Sequence, residues 1–449
     1  MRLLTLHRTD SSMTPKFARD RLEFALARID DPVGEGVRAC LTIYRDAARA
    51  AAEASDTRRR TNALLGPLDG AIFTIKDLFD VAGEITRAGS KAIAADARPA
   101  RQDAPVVARL RAAGAVIVAK TNMVEFAFSG VGLNPHFGTP GNPADRSRVP
   151  GGSTSGGAVA VGDGMCEIAL GSDTGGSTRI PAALCGLVGW KPSKRRISTE
   201  GAVPISRTLD SIGPIARTVE DCANTDAVIA GEMPEPIVPV NVKGLRLGIA
   251  EGLPLRNLDA TVDARWTEAL DRLAKSGVAL SQESLPLLDD MARVNAKGGI
   301  VPAEGIAVHG ELIARRGGEI DPQILMRFER ARKISADDYA WMMRERTALV
   351  RAMDKRLGDL DALIMPTTPI VAPTIADMQV PDIFSRNNAL LLSNTSIANF
   401  FDLCSISLPL PRQGTDSGGF PVGLMLMARN GSDRRLFGVA AALERLFAA

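Results

Sequence analysis

Apolar residues between positions 17 and 29 (Phe17, Leu22, Phe24, Leu26, Ile29) recur among Arg and Asp at a spacing that predicts a helix. Ala-rich residues 46–54 predict the end of a second. The texture changes at Gly66. Pro67 and Gly70 bracket a turn, and Ala71-Ile72-Phe73-Thr74-Ile75-Lys76 reads as a short strand that ends in a charge. Residues 104–113 predict a helix stopped by Gly114, followed by the wholly apolar strand Ala115–Ala119. Ile168-Ala169-Leu170 then leads into a glycine-rich turn, the kind of strand tip where open α/β sheets place ligands. Helical texture resumes past Thr218, and Pro234, Pro236 and Pro239 mark a long loop before a strand at 244–249. Residues 258–355 read as mostly helical with one strand near 277–280, and further strands are predicted at 362–366 and 420–426. There is no internal repeat and no low-complexity tract.

Composition narrows the classes. A 449-residue chain with 45% hydrophobic and 24% charged residues has the balance of a folded globular protein. Lys and Arg total 54 against 52 Asp and Glu, so the net charge of +2 carries no nucleic-acid footprint, and the run Arg58-Arg59-Arg60 reads as a solvated face. The five cysteines are widely spaced with no C-x-x-C pair, which fits a reducing compartment rather than a disulfide framework or zinc site. The first residues, with Arg2, Arg8 and Asp10, lack a signal-peptide core, and no 18-residue apolar run occurs; a cytoplasmic, membrane-free protein is expected. Only His7, His136 and His309 are present. That scarcity argues against a histidine metal cluster and a Ser-His-Asp triad.

Chemistry concentrates between Pro150 and Trp190. Gly151-Gly-Ser153-Thr-Ser-Gly-Gly157 and Gly171-Ser172-Asp173-Thr174-Gly175-Gly176-Ser177 each mix glycines with hydroxyls. Each cluster could be a tight loop with a serine capping the next helix, or an anion-binding loop, though neither carries a P-loop or G-x-G-x-x-G pattern. A third reading makes Ser177 a nucleophile whose developing oxyanion is met by the N–H groups of Thr174, Gly175, Gly176 and Ser177 itself. Serine needs a base, and with histidine scarce Lys76 is the candidate. An unperturbed lysine is neutral in only about 4 molecules per 10,000 at pH 7, so the site must lower its pKa by burial or nearby positive charge. The competing reading pairs Lys76 with Asp77, Asp80 or Glu125.

These segments closely resemble the amidase-signature family. The resemblance rests on Pro150–Gly157, on Gly171 through Gly186, and on Gly189-Trp-Lys-Pro192. Upstream, Gly66–Gly70 leading to Ile75-Lys76-Asp77, and Lys120–Phe126 leading to Gly138–Asn142, look like the family's elements, as do Met365–Pro369 and Pro421–Leu424 downstream. The resemblance implies that Ser177 is the nucleophile, Ser153 a bridging serine following a cis peptide bond, and Lys76 the base. The 24-residue interval between the serines is the family's usual one. Asp173 and Arg179 are expected to form a structural ion pair, and Ser172 and Ser129 to be supporting donors. Two features depart from better-known members: Ser-Thr-Ser in the bridging loop, and Met425 where many carry glutamine.

The expected fold is α/β: one large domain over residues 1–449 with a mixed, mainly parallel central sheet covered by helices on both faces, as the resemblance implies and the strand–helix alternation permits. The resemblance, dense over residues 66–220, implies a catalytic core there, and 235–360 is expected to be a helical elaboration over the active site. The implied function is amidohydrolysis of a small-molecule amide without metal or cofactor, and a homodimer is compatible with it. Phe126, Phe128 and Phe137 could contribute to a pocket. The alternatives are the glutaminase subunit of a tRNA-dependent amidotransferase and a non-catalytic carboxylate-binding protein.

Overall fold

The computed structural model describes residues 17–411 and 419–448; His7, Arg2, Arg8 and Asp10 lie outside the described residues. Eleven strands join one sheet: β1 (Cys40–Ile43), β2 (Ile72–Lys76), β3 (Val116–Thr121), β4 (Ile168–Asp173), β5 (Val188–Lys191), β6 (Ser211–Ala216), β7 (Arg246–Ala250), β8 (Ala279–Glu283), β9 (Ala362–Pro366), β10 (Cys404–Pro409) and β11 (Gly423–Ala428). Their order is β1-β3-β2-β4-β6-β5-β10-β11-β9-β7-β8. The sheet is mixed. Its parallel pairings form two blocks, β3-β2-β4 and β9-β7-β8, and antiparallel pairings fill the stretch between them and attach β1 at the edge.

Both sheet faces are covered, which is why the parallel strands read as unbroken apolar runs rather than alternating ones. Phe73, Ile75, Ile117, Ile168 and Leu170 enter one core, and Ile72, Val116, Val118 and Ala169 enter another on the opposite face. The helix Ser155–Gly162 supplies Ala158, Val159 and Ala160 to the second core. Among the described residues no helix is long and apolar enough to cross a membrane.

The region 235–360 is not wholly helical. It adds β7 and β8 to the sheet edge, while the helices Ile300–Arg316 and Pro322–Ala331 pack Ile313, Ile324 and Phe328 against Val124, Phe126 and Phe128. A 20-residue helix that the apolar pattern does not predict, Pro381–Phe400, contributes buried Asn388, Thr395 and Asn399. At i, i+7 and i+11 these three share one helical face.

Candidate active site

Parallel pairing places the site. Ile75 lies opposite Leu170, so the carboxyl ends of β2 and β4 emerge side by side, with Lys76 closing one strand and Ser172-Asp173 the other. Ser153 arrives from the loop before the helix Ser155–Gly162, its carbonyl accepting from the Val124 N–H at 3.1 Å. The peptide bond Gly152–Ser153 is cis, at the position the resemblance implied.

Lys76 is fully buried, and its Nζ donates to Ser153 Oγ at 2.7 Å and Ser172 Oγ at 2.9 Å. Among the described residues it makes no ion pair. The carboxylates weighed as partners are engaged elsewhere: Asp77 with Lys120 at 3.0 Å and Arg87 at 3.6 Å, Asp80 with the Thr86 hydroxyl, and Glu125 with the Ser90 hydroxyl, the Asp321 N–H and His136. Burial lowers the Lys76 pKa to about 7, outweighing the opposing fields of Asp173 and Asp210. A neutral lysine near neutral pH is therefore available.

Ser177 lies beyond β4 and is buried to 4% exposure. Its carbonyl accepts from the Thr154 N–H at 3.3 Å, which ties the two hydroxyl-rich loops together. Among the described residues no hydrogen bond joins the Ser177 and Ser153 hydroxyls, so the relay is assembled from lysine to bridging serine but not onward. Such contacts commonly tighten only around substrate.

The predicted N–H donors divide. Gly176 N–H donates to Asp173 Oδ1 at 2.9 Å and is committed to the loop, whereas among the described residues Thr174, Gly175 and Ser177 make no backbone N–H hydrogen bond. Gly176 also has φ +135°, and a Cβ there would lie 2.2 Å from Thr395 Oγ1, so both conformation and space require glycine. Thr395 Oγ1 donates to the Gly175 carbonyl at 2.6 Å. Thr174 Oγ1 donates to Asp210, whose carboxyl burial pushes up to about 6 against its hydrogen bonds from Thr174, Ser206 and Ile205 and the charge of Lys194.

Asp173 and Arg179 form the expected ion pair, fully buried at 2.9 Å. Arg179 also donates to Thr395 O, Asn399 Oδ1 and Met425 Sδ, and Asn399 Nδ2 donates back to Asp173. Met425, noted as a departure, is thus a ligand of Arg179. Burial alone would raise the Asp173 carboxyl, but Arg179, Asn399 and Lys191 hold it well below the usual carboxylate range. Ser172 was expected to be a donor, but here its Oγ accepts from Lys76 Nζ. Ser129 does not reach the lysine; its hydroxyl donates to Asn388 Oδ1 at 3.1 Å and accepts from the Val131 N–H, bracing a neighbouring loop. His136 sits beside Glu125 and His309 Nε2 faces the Pro204 carbonyl at 2.8 Å. Asp210, Asn388, Thr395 and Asn399 were missed in the sequence. The uncharged, Asn-rich face of Pro381–Phe400 was the available signal for the last three, whereas Asp210, just before β6, had none.

Comparisons with known proteins identify the family. The amidase family profile matches residues 20–437, and the chain belongs to that family. It is 36% identical over 407 residues to the 2-amino-5-chloromuconic acid deaminase of Comamonas testosteroni, covering 89% of this chain and 86% of that protein. It is 34% identical to a glutamyl-tRNA(Gln) amidotransferase subunit of Anaeromyxobacter dehalogenans (strain 2CP-C), over 94% and 92% of the two chains. A crystallised amidase superposes with a TM-score of 0.84 at 32% identity, with 96% of each chain covered.

Proposed function

We propose that this protein hydrolyses a carboxylic amide through an acyl-enzyme on Ser177, with Ser153 and neutral Lys76 as the proton relay. The observation that carries the reading is Lys76 itself: fully buried, without a carboxylate partner among the described residues, and 2.7 Å from Ser153 Oγ. A neutral lysine can donate to Ser172 and accept from Ser153. As Ser177 Oγ attacks the carbonyl carbon, its proton passes to Ser153, whose own proton passes to Lys76 Nζ. The N–H groups of Thr174, Gly175 and Ser177 receive the oxyanion; Gly176 helps only by holding the loop through Asp173. Collapse returns the proton through Ser153 to the leaving amine, and water attacks the ester along the same relay to release the acid.

The test is turnover of a panel of primary amides by the wild type beside Ser177→Ala, Ser153→Ala and Lys76→Ala. A loss of about 10⁴-fold or more in kcat is expected for Ser177→Ala, by analogy with other serine nucleophiles. Full activity of that variant, or a fluorophosphonate that labels a serine other than Ser177, overturns the mechanism.

A second reading draws on the 34% identity to the amidotransferase protein. It makes the same site a glutaminase that passes ammonia to a partner. Glutamine-dependent ammonia release that appears only with a co-purified partner would favour it.

A further inference from the structure

Arg327 sits on the helix Pro322–Ala331, and its guanidinium carbon lies 4.3 Å from the centroid of the Phe128 ring. Its Nε is buried with no hydrogen-bond partner, and among the described residues the side chain makes no ion pair. The charge it feels most is like-signed, from Arg330, and burial lowers its pKa to about 10. Arg327 as a whole is half-buried, so its Nε is withdrawn from water while the rest of the guanidinium keeps room for an anion, which would relieve the cost of that buried, unpartnered donor.

The location says which anion. The segment from Val124 to Gly130 is stitched to the bridging loop at both ends: Val124 N–H donates to the Ser153 carbonyl at 3.1 Å, and Gly152 N–H donates to the Gly130 carbonyl at 2.8 Å. Phe128 lies between these stitches, two residues from Gly130. Leu392 links the same segment to the nucleophile loop, since a Cβ at Gly130 or at Gly175 would meet its side chain at 3.4 and 3.2 Å. Arg327 therefore packs on a segment that is tied to the loops of Ser153 and Gly175. One helical turn earlier, Gln323 Nε2 donates to the Met378 carbonyl while its Oε1 is buried without a partner. The shared face at i and i+4 thus offers a charged donor beside a free acceptor.

We infer that Arg327 is a specificity-determining residue that holds a carboxylate of the substrate, so that the preferred substrates are amides carrying a free acid, with Gln323 Oε1 accepting an N–H from the same molecule. The guanidinium fork matches a carboxylate in a way no neutral group does. This inference rests on the amide-hydrolase reading for its substrate, but its binding half can be measured without turnover.

The probes are oxamic, malonamic, succinamic and glutaramic acids, each with a neutral primary amide of similar length such as butanamide. Calorimetric titration into full-length Ser177→Ala protein should show at least one amide acid binding about 10- to 100-fold tighter than its neutral counterpart, and Arg327→Met in that background should erase the difference. Arg327→Lys, which keeps the charge but not the fork, should restore part of it. In the Ser177 enzyme the kcat/KM ratio of acid to neutral amide should collapse in Arg327→Met, mainly through KM. The inference is overturned if no amide acid binds better than its neutral partner, if Arg327→Met leaves the preference intact, or if it weakens both substrates equally. Carboxylate-dependent binding without any hydrolysis by the wild type would sink the amidase reading and leave the role of Arg327 standing.

Discussion

Lys76 and Asp173 are equally buried at the tips of neighbouring parallel strands, yet their surroundings are opposites. Lys76 meets two neutral hydroxyls, and its pKa falls to about 7. Asp173 meets Arg179, Asn399, the Thr178 hydroxyl and the Gly176 N–H, and its carboxyl is held well below the usual range. A proton acceptor has to be uncomfortable when charged, whereas a scaffold charge has to be saturated. The proposed mechanism needs both in one site, because the saturated cluster shapes the loop that carries Ser177.

The largest effect should come from emptying the saturated side. Arg179→Met leaves Asp173 as a buried, partly uncompensated carboxylate, and the expected destabilisation is about 3–5 kcal/mol by denaturant unfolding. A loss below about 1 kcal/mol would mean that Asn399 and the backbone suffice and that Arg179 is not the main counter-charge.

Next comes the starved side. Lys76 has a folded pKa of about 7 against 10.5 as its ordinary value. Between these the unfolded chain binds the extra proton, so stability is lowest below pH 7 and rises as pH climbs toward 10.5. Lys76→Met removes this dependence. The stability of the wild type relative to that variant should increase by roughly 3 kcal/mol between pH 7 and 10. Urea titrations giving a flat difference would show that Lys76 is not held neutral by the fold. A carboxylate placed beside the lysine makes the complementary change: Ser172→Asp should keep Lys76 charged, displace the alkaline rise of activity upward by about 1–3 pH units, and cut turnover at pH 7 about 10- to 100-fold. An unmoved midpoint would mean that another group controls the profile.

How much of this was legible depended on whether local pattern and tertiary role agreed. β2, β3 and β9 are short apolar runs bounded by turns, and each was located to within one or two residues. The proposed trio came from the family resemblance, to which a Lys ending an apolar strand and serines among glycines drew attention; of its members the structure joins Lys76 to Ser153 at 2.7 Å. β6 was not legible, since Ser211-Ile-Gly-Pro-Ile-Ala216 reads as a turn. Gly213 is there because a Cβ would lie 2.2 Å from the Trp190 carbonyl, and pairing to β5 stops at Ile215, before Pro214 would have to donate. β10 alternates Ser and Ile yet is central. The commitment of Gly176 N–H to Asp173 was equally invisible, because glycine density identifies a bare backbone but not which way each N–H points. Arg327 gave no signal at all, since an arginine in a helix is ordinary until its lack of a partner is seen.

The smallest prediction sharpens the boundary between the two clusters. Thr395 touches the nucleophile loop through its 2.6 Å bond to the Gly175 carbonyl and its contact with Gly176, but it has no hydrogen bond to Lys76, Ser153 or Ser172. Thr395→Val keeps the volume and removes the donor, which should cost about 1 kcal/mol in transition-state stabilisation, or roughly a fivefold fall in kcat. The pH midpoint should remain at about 7, because the lysine's surroundings are untouched. A shift of that midpoint in Thr395→Val would show that loop geometry also sets the lysine's proton affinity. The starved and saturated clusters would then be one electrostatic unit rather than two.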